Sequence, residues 1–452
     1  MGRLPDRHAG RSARRTVHFV SLGCPKNRVD TEVMAGLLAT DGMTVVASPE
    51  EADIIVVNTC AFIGDAKEES IDVLLEMARH RRSGRCSLLI AAGCLPQRNG
   101  AELREAMPEI DAMLGTATLD QIGRLVKGRA VDAALNYPGH FLPTAATPRL
   151  IEQGSISAYI KIADGCSRKC AFCAIPGIRG KGRSRSVADV VAEARQLADA
   201  GVVELNLVAQ DTAAFGRDRK DGADLAGLLG ALNDVDGLRW IRVLYLYPDA
   251  VSDRLLRQMG ELDKVVPYLD IPIQHAAAPM LKAMRRGHGP DALIDVIDRA
   301  KRLLPGAFLR TTVLLGFPGE TDADFDALLS FVEAARFHHL GAFRYSEEEG
   351  TPAAGMADRV SPGISYNRRR KVMALQRRIV REHHRAMKGQ IIEVLVEGAA
   401  DEAGYVRQGR HTGQAPDIDG CVYLTSCAAG PGEVVRATVV DFKDYDLVAE
   451  PL

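Results

Sequence analysis

The first third of the chain alternates short apolar runs with longer amphipathic stretches. The runs read "TVHFVSLG", "ADIIVVNT" and "SLLIAAG", and helical stretches near residues 30–40 and 65–82 separate them. This alternation is typical of βαβ units, which form a parallel sheet. Each run ends directly in a cysteine, at Cys24, Cys60 and Cys94. Because loops at the carboxyl ends of parallel strands meet at one sheet edge, we expect these three thiols to converge.

The same alternation returns between about residues 155 and 343. The apolar runs there are "SAYIKIA", "ELNLVAQ", "RWIRVLYLY", "PYLDIPIQ", "FLRTTVLLG" and "GAFRYS", with amphipathic stretches such as "VADVVAEARQLADAG" between them. Six repeats predict a β/α barrel or most of one, whose active site lies at the carboxyl ends of the strands. Cys166, Gln210, Gln274 and Gly316 fall at such positions.

From about Lys388 onward, short strand-like runs separated by Gly and Pro predict a small antiparallel β-barrel. The predicted fold class is therefore α/β with a terminal β-barrel. We assign no function to the amino-terminal arm. The predicted divisions are a disordered arm over 1–15, a parallel α/β domain over 16–131, a linker over 132–152, a barrel with a basic connecting helix over 153–386, and the small β-barrel over 387–452.

Composition narrows the class of protein. The 452 residues include 57 Lys and Arg against 59 Asp and Glu, so the whole chain is not a polycation that coats nucleic acid. We see no secretory signal and no apolar segment long enough to span a bilayer. We therefore expect a soluble cytoplasmic enzyme that does not bind membranes. Nine cysteines in such a chain favour metal or redox chemistry over disulfides.

The stretch "GCSRKCAFCAIPG" places Cys166, Cys170 and Cys173 within eight positions, with no fourth cysteine nearby. A structural zinc site normally has four protein ligands in paired motifs, which this stretch lacks. A c-type haem attachment would need His at position 174, where the chain has Ala174. Three thiolates suit a [4Fe-4S] cluster, which is then left with one open iron that can bind a small molecule.

This cysteine motif after the first barrel strand resembles that of the radical S-adenosylmethionine enzymes, which have a partial (β/α)6 barrel. The resemblance implies that S-adenosylmethionine binds the open iron and that its reductive cleavage yields a radical that removes a hydrogen atom. It also implies that the backbone at Phe172, the aromatic position before the third cysteine, meets the adenine of the cofactor, and that "GFPGE", with Gly316, passes near the adenosine. Gln210, at the end of the second barrel strand, is a further candidate contact to the cofactor.

The resemblance extends to the methylthiotransferases of this superfamily. The motifs are "SLGCPKNRVDTE", "NTCAFI", "AAGCLPQR" and "GFPGETDADF", and the terminal barrel resembles a TRAM domain. By resemblance, Cys24, Cys60 and Cys94 hold a second [4Fe-4S] cluster, through which a sulfur donor acts, and each turnover uses two molecules of S-adenosylmethionine. The alternative for these three residues is buried structural cysteine. Ordinary thiols are expected outside the motifs, at Cys86, Cys421 and Cys427.

Within this family, "SLGCPKN", "IPIQHA", "YSEEEGTPAA" and "APDIDG" resemble the RimO branch. That resemblance implies methylthiolation of the β-carbon of an aspartate in small-subunit ribosomal protein twelve, free or in the small ribosomal subunit. It also implies an electron donor such as flavodoxin or ferredoxin. Two alternatives remain: a tRNA adenosine methylthiotransferase, and a non-catalytic iron-sulfur protein that binds RNA or the ribosome.

The charge of the last region bears on this choice. Residues 388–452 contain five Lys and Arg against eleven Asp and Glu, so we expect this domain to repel tRNA and to attract a basic protein. Direct tRNA binding is therefore not expected. The preceding stretch, residues 367–388, has nine Lys and Arg and one acid, Glu382. We expect its charges to pair with the acidic domain, the alternative being contact with ribosomal RNA.

Overall fold

The computed structural model describes residues 15–128 and 141–452. Residues 1–14 of the predicted arm and 132–140 of the predicted linker lie outside these ranges. None of the helices in the described part of the chain is long and apolar enough to cross a membrane.

The amino-terminal domain is a parallel sheet with helices on both faces. The strands are β1 (Thr16–Ser21), β2 (Thr44–Val45), β3 (Ile54–Thr59), β4 (Leu88–Gly93) and β5 (Ala112–Gly115), in the order β2-β1-β3-β4-β5. The helices are α1 (Pro25–Thr40), α2 (Gly64–Ser83), α3 (Cys94–Ala106) and α4 (Ile122–Val126). The three predicted runs form the centre of the sheet. Every residue of β3 and β4 is buried, as expected for strands covered on both faces.

The central domain contains six parallel strands that are neighbours in chain order, which confirms the predicted partial barrel. A short hairpin, β7–β8, encloses the loop that contains Cys166, Cys170 and Cys173. The strands are β6 (Ser157–Lys161), β7 (Ala163–Asp164), β8 (Arg183–Ser184), β9 (Glu204–Val208), β10 (Trp240–Val243), β11 (Val265–Asp270), β12 (Phe308–Leu315) and β13 (His339–Arg344). The helices are α5 (Ile175–Arg179), α6 (Val187–Asp199), α7 (Leu225–Asn233), α8 (Asp253–Glu261), α9 (Ala278–Ala283), α10 (Pro290–Leu303), α11 (Asp322–Ala335) and α12 (Pro362–Met387).

The carboxyl-terminal domain is a closed five-stranded barrel, as predicted. Its strands are β14 (Ile391–Ala399), β15 (Arg407–Arg410), β16 (Val422–Leu424), β17 (Val434–Lys443) and β18 (Asp446–Pro451). Four neighbouring pairs are antiparallel, and the pair β16–β18, which closes the barrel, is parallel.

The basic helix α12 pairs with both of its neighbouring domains. Arg381 contacts Asp444 at 3.4 Å and Lys388, just past the helix, contacts Asp441 at 3.1 Å, so the predicted pairing with the acidic domain is confirmed for these two residues. Arg368 instead contacts Asp322 on α11 at 2.8 Å. The helix therefore connects the terminal barrel to the central domain through charge as well as through the chain.

Candidate functional site

The amino-terminal triad consists of Cys24, Cys60 and Cys94. Cys24 and Cys60 lie in the loops after β1 and β3, and Cys94 is the first residue of α3, directly after β4, so all three lie at strand ends as the strand pattern predicted. The first two loops touch: a Cβ on Gly23 would lie 2.7 Å from the Cβ of Cys60, and the φ of +88° at Gly23 favours glycine. The Nδ2 of Asn27 donates to the carbonyls of Leu22 and Thr59, at 3.0 and 2.9 Å. This one side chain therefore ties the first loop to the second.

The electrostatic environment distinguishes the three thiols. Burial alone would raise the pKa of Cys24, but the charges of Lys26 and Arg179 outweigh it and lower that pKa. Burial raises the pKa of Cys60 and raises that of Cys94 to about 12. Because the thiolate is the form that binds metal, Cys24 is the thiol of this triad whose surroundings most favour metal binding.

Cys166, Cys170 and Cys173, the loop triad, lie between β7 and β8 at the carboxyl edge of the barrel. A Cβ on Gly165 would lie 2.3 Å from the carbonyl oxygen of Lys181, so the start of this loop packs directly against backbone. The backbone N–H of Cys173 donates to the carbonyl of Cys170 at 3.2 Å, which closes a tight turn between them.

Two donors reach the sulfurs of the loop triad. The backbone nitrogen of Arg168 lies 3.4 Å from the Sγ of Cys166, and Nη1 of Arg286 lies 3.4 Å from the Sγ of Cys170. Burial raises the pKa of Cys166 and raises that of Cys173 to about 12. N–H donors favour the thiolate and so oppose this effect of burial.

Phe172 and Gln210 are held by neighbours at this edge. Phe172 is half-buried and packs against an apolar cluster that includes Met284 and Phe317. Nε2 of Gln210 donates to Oδ1 of Asp164 at 2.8 Å, while its Oε1 is enclosed without a hydrogen-bond partner among the described residues. Gln210 therefore presents one unused acceptor beside the loop triad.

At Gly316, both the backbone conformation and the packing against a neighbouring helix favour glycine. Its φ is +74°, and a Cβ there would lie 2.5 Å from the Cβ of Ser365 on α12. Its backbone N–H donates to the buried carboxylate of Glu320, whose other oxygen lies 3.4 Å from Nε2 of His275. Gln274, with φ of +69°, continues the backbone pairing with β12. These contacts stabilise the loops at the carboxyl edge of the barrel.

A buried charge network between the two triads was not predicted from the sequence. Arg179 contacts Asp164 at 3.1 Å and Asp30 at 3.0 Å, and Lys161 pairs with both carboxylates. Nη2 of Arg179 also lies 3.6 Å from the Sγ of Cys94. One residue in the sequence could have indicated this network: Lys161, within the apolar run "SAYIKIA". A charged side chain in a buried strand requires a partner of opposite charge.

The donor set fits iron-sulfur clusters better than single ions. Within the described ranges, no group of three or more His, Cys, Asp or Glu side chains is arranged to hold one metal ion. Thiolates on a four-iron cluster bind different irons, so they need not approach one another as closely as the ligands of one zinc ion. Each triad offers three thiols, a glycine that allows close backbone approach, and nearby positive charge. Cys86, Cys421 and Cys427 belong to neither triad.

Three family descriptions match successive parts of the chain. Residues 16–115 match an uncharacterized protein family designated UPF0004, residues 160–332 match the radical SAM superfamily, and residues 389–452 match the TRAM domain. These matches follow the three domains seen in the structure.

Curated relatives cover nearly the whole chain. The chain is 48% identical over 444 residues to the ribosomal protein uS12 methylthiotransferase RimO of Sorangium cellulosum, covering 97% of this chain and 91% of that protein. Identity to the RimO protein of Anaeromyxobacter sp. strain K is also 48%, covering 96% and 92%. Identity to that of Syntrophotalea carbinolica is 44%, covering 97% of each chain.

Solved structures share the fold at low sequence identity. The radical S-adenosylmethionine methyltransferase TsrM from Kitasatospora setae superposes with a TM-score of 0.55 at 15% identity, covering 75% of this chain and 77% of that one. The cobalamin-dependent enzyme OxsB superposes with a TM-score of 0.52 at 13% identity, covering 82% and 56%. At this identity the likeness concerns the fold alone.

Proposed function

Because the chain belongs to the RimO family of radical S-adenosylmethionine methylthiotransferases, we propose that it methylthiolates ribosomal protein uS12. The reaction replaces one hydrogen on the β-carbon of an aspartate with a methylthio group. The observation that supports this most directly is the arrangement of two cysteine triads at the edges of two parallel sheets. Arg179 spans the short distance between them, since it contacts both Cys94 and Asp164, two residues before Cys166.

In this proposal the loop triad holds one [4Fe-4S] cluster and the amino-terminal triad holds a second. When bound, these groups and two molecules of S-adenosylmethionine per turnover supply radical generation, sulfur transfer and methyl transfer. The chain's own residues fix the loops and exclude water. Arg286 and the backbone of Arg168 donate to the loop thiolates, and Asn27 holds two loops of the amino-terminal triad together.

Three residues are proposed to contact S-adenosylmethionine. Phe172 offers a half-exposed ring at the edge of an apolar cluster, which suits a planar adenine. The enclosed Oε1 of Gln210 would accept a hydrogen bond from an amine or hydroxyl of the cofactor. Gly316 would let the backbone approach the adenosine, in addition to its packing against Ser365.

The proposed partners follow from charge and chemistry. The terminal barrel has more than twice as many acids as bases, which favours a basic ribosomal protein over tRNA. The substrate is uS12, free or within the small subunit, and the low-potential electrons would come from a flavodoxin or ferredoxin. A sulfur donor of unspecified identity is also required. We place this reaction in the cytoplasm, where uS12 is made and assembled.

Reconstitution tests the proposal. The anaerobically loaded enzyme is incubated with S-adenosylmethionine, sulfide and reductant, together with either purified uS12 or unmodified tRNA. The expected result is a methylthio mass increase on one aspartate of uS12 and no modified adenosine. Modified adenosine with unchanged uS12 would contradict the proposal.

A further inference from the structure

Lys26 places an almost buried ammonium beside the amino-terminal triad, two residues after Cys24. The residue is only 7% exposed, and its Nζ lies 3.6 Å from the centroid of the Tyr245 ring. Among the described residues, no carboxylate lies within ion-pair distance of this nitrogen and no hydrogen-bond acceptor contacts it. A charged group so far out of water normally has an ionic partner.

The nearby carboxylates are already used by other cations. Asp30 pairs with Lys161 and Arg179, and Asp164 pairs with the same two side chains. The network thus contains two anions and two cations and is neutral without Lys26. Lys26 is therefore the cation of this interface that has no carboxylate partner among the described residues, although its charge also acts on the thiol of Cys24. Its Nζ has no hydrogen-bond partner among the described residues but is not fully enclosed, so the ammonium retains some contact with solvent.

Tyr245, whose ring contacts this ammonium, lies at the carboxyl edge of the barrel. It follows β10 closely and has φ of +63°, a backbone conformation that is strained for a residue other than glycine. Its backbone N–H donates to Asp270 at 3.0 Å, and its carbonyl accepts from Thr212 at 3.0 Å. Backbone strain held in place at the carboxyl end of a barrel strand is typical of a ligand site.

We infer that Lys26 binds the side-chain carboxylate of the substrate aspartate, and so makes the site selective for an acidic side chain. The inference rests on the proposed function, because it needs an aspartate as substrate. The carboxylate is bonded directly to the β-carbon that reacts, so a cation that holds it lies close to the reacting atom. Lys26 is two residues from Cys24 in the chain, and its Nζ contacts Tyr245 at the carboxyl edge of the barrel, so this cation lies where the two triad-bearing domains meet. Its position in the first turn of α1 also favours an anion.

The experiment compares binding of two uS12 proteins to the loaded enzyme, one with the natural aspartate and one with asparagine at that position. For the unaltered enzyme we expect about 10- to 100-fold tighter binding of the aspartate form, the range of a hydrogen bond to a buried charged group. Lys26→Met and Lys26→Gln should lose this preference, and Lys26→Arg should keep most of it. Lys127→Met is the matched control, because Lys127 pairs with Asp41 on the surface of the same domain.

The preference is a ratio measured within each variant, so partial loss of a cluster affects both forms of uS12 and cancels. An unchanged preference in both neutral variants would overturn the inference. So would variants that keep the preference but shift the reduction potential of the cluster, because Lys26 would then serve only to balance thiolate charge. Failure of the proposed function is separate: the unaltered enzyme would then leave uS12 unmodified.

Discussion

Glu204 fixes the terminal barrel on the central domain, and Glu204→Gln is expected to loosen this attachment. The carboxylate is fully buried at the first position of β9. It accepts from Arg242 on β10 at 3.1 Å and from Nη1 of Arg410 on β15 at 3.1 Å, and Ser157 donates to it at 2.8 Å. The substitution keeps the shape of the side chain but leaves two buried guanidinium groups without their shared anion.

The pKa of Glu204 gives the magnitude. Burial alone would raise this pKa, but the charges of Arg410 and Arg242 outweigh burial and lower it from 4.5 to about 2. At about 1.4 kcal/mol per pH unit, this lowering corresponds to roughly 3 kcal/mol of stability at neutral pH. The loss measured when one partner of a buried ion pair is removed is similar, about 3–5 kcal/mol.

The sole tryptophan, Trp240, reports on this contact, because it pairs with Glu204 across the sheet and belongs to an apolar cluster that also includes Leu395 of the terminal barrel. In urea unfolding followed by Trp240 fluorescence, the first transition is expected to report release of the terminal barrel. Its free energy of unfolding should be about 3 kcal/mol lower in Glu204→Gln than in the unaltered protein. The exposed Glu393→Gln is the control and should change it by less than about 0.5 kcal/mol.

The effect has a defined pH dependence. Because the pKa of Glu204 is lowered in the folded protein, its stabilisation is complete well above pH 4.5 and is lost as pH falls from 4.5 toward 2. The difference between the unaltered protein and Glu204→Gln should therefore narrow by up to about 1 kcal/mol between pH 7 and pH 4. A difference under about 1 kcal/mol at pH 7, or one that grows on acidification, would refute the reasoning.

Three further predictions concern the triads and the basic helix. Gly23→Ala should lower the amount of iron bound by the amino-terminal triad, because its Cβ would clash with the loop that contains Cys60. Gly42→Ala is the control: Gly42 has a similar φ of +85° but open space around it, so this variant should lose stability but not iron. Cys24→Ala should still cleave S-adenosylmethionine reductively but form no methylthio product, as chromatography of both products would show. Arg381→Ala should change thermal stability by less than about 1 kcal/mol, because its contact with Asp444 is exposed to water; a larger loss would show that this ion pair does anchor the terminal barrel.

The strand pattern predicted the architecture because a β-strand is marked by a local sequence feature. This feature is either alternation of apolar and polar residues or a continuous apolar run. All six predicted barrel runs form parallel strands, and the predicted terminal region forms the closed five-stranded barrel. The two short edge strands of the amino-terminal sheet, β2 and β5, were missed. A strand of two to four residues is too short to show a recognisable pattern of apolar and polar positions.

The positions of the two cysteine triads at strand ends were predictable because strand ends and cysteine spacing are visible in the sequence. The interdomain contacts were not, because Asp30 and Arg179 are far apart in the chain and only the packing of two sheets brings them together. Tyr245 illustrates the same limit: its positive φ and its contact with Lys26 depend on tertiary structure, and nothing in "RVLYLYPD" indicates them.

The most direct test of the central claim is peptide mass spectrometry of uS12 from cells with and without this gene, with tRNA nucleosides analysed from the same cells. We predict that a methylthio mass on one aspartate of uS12 disappears when the gene is removed, while methylthio-adenosine in tRNA is unchanged. Unchanged uS12 with loss of methylthio-adenosine would contradict the account and assign the enzyme to tRNA.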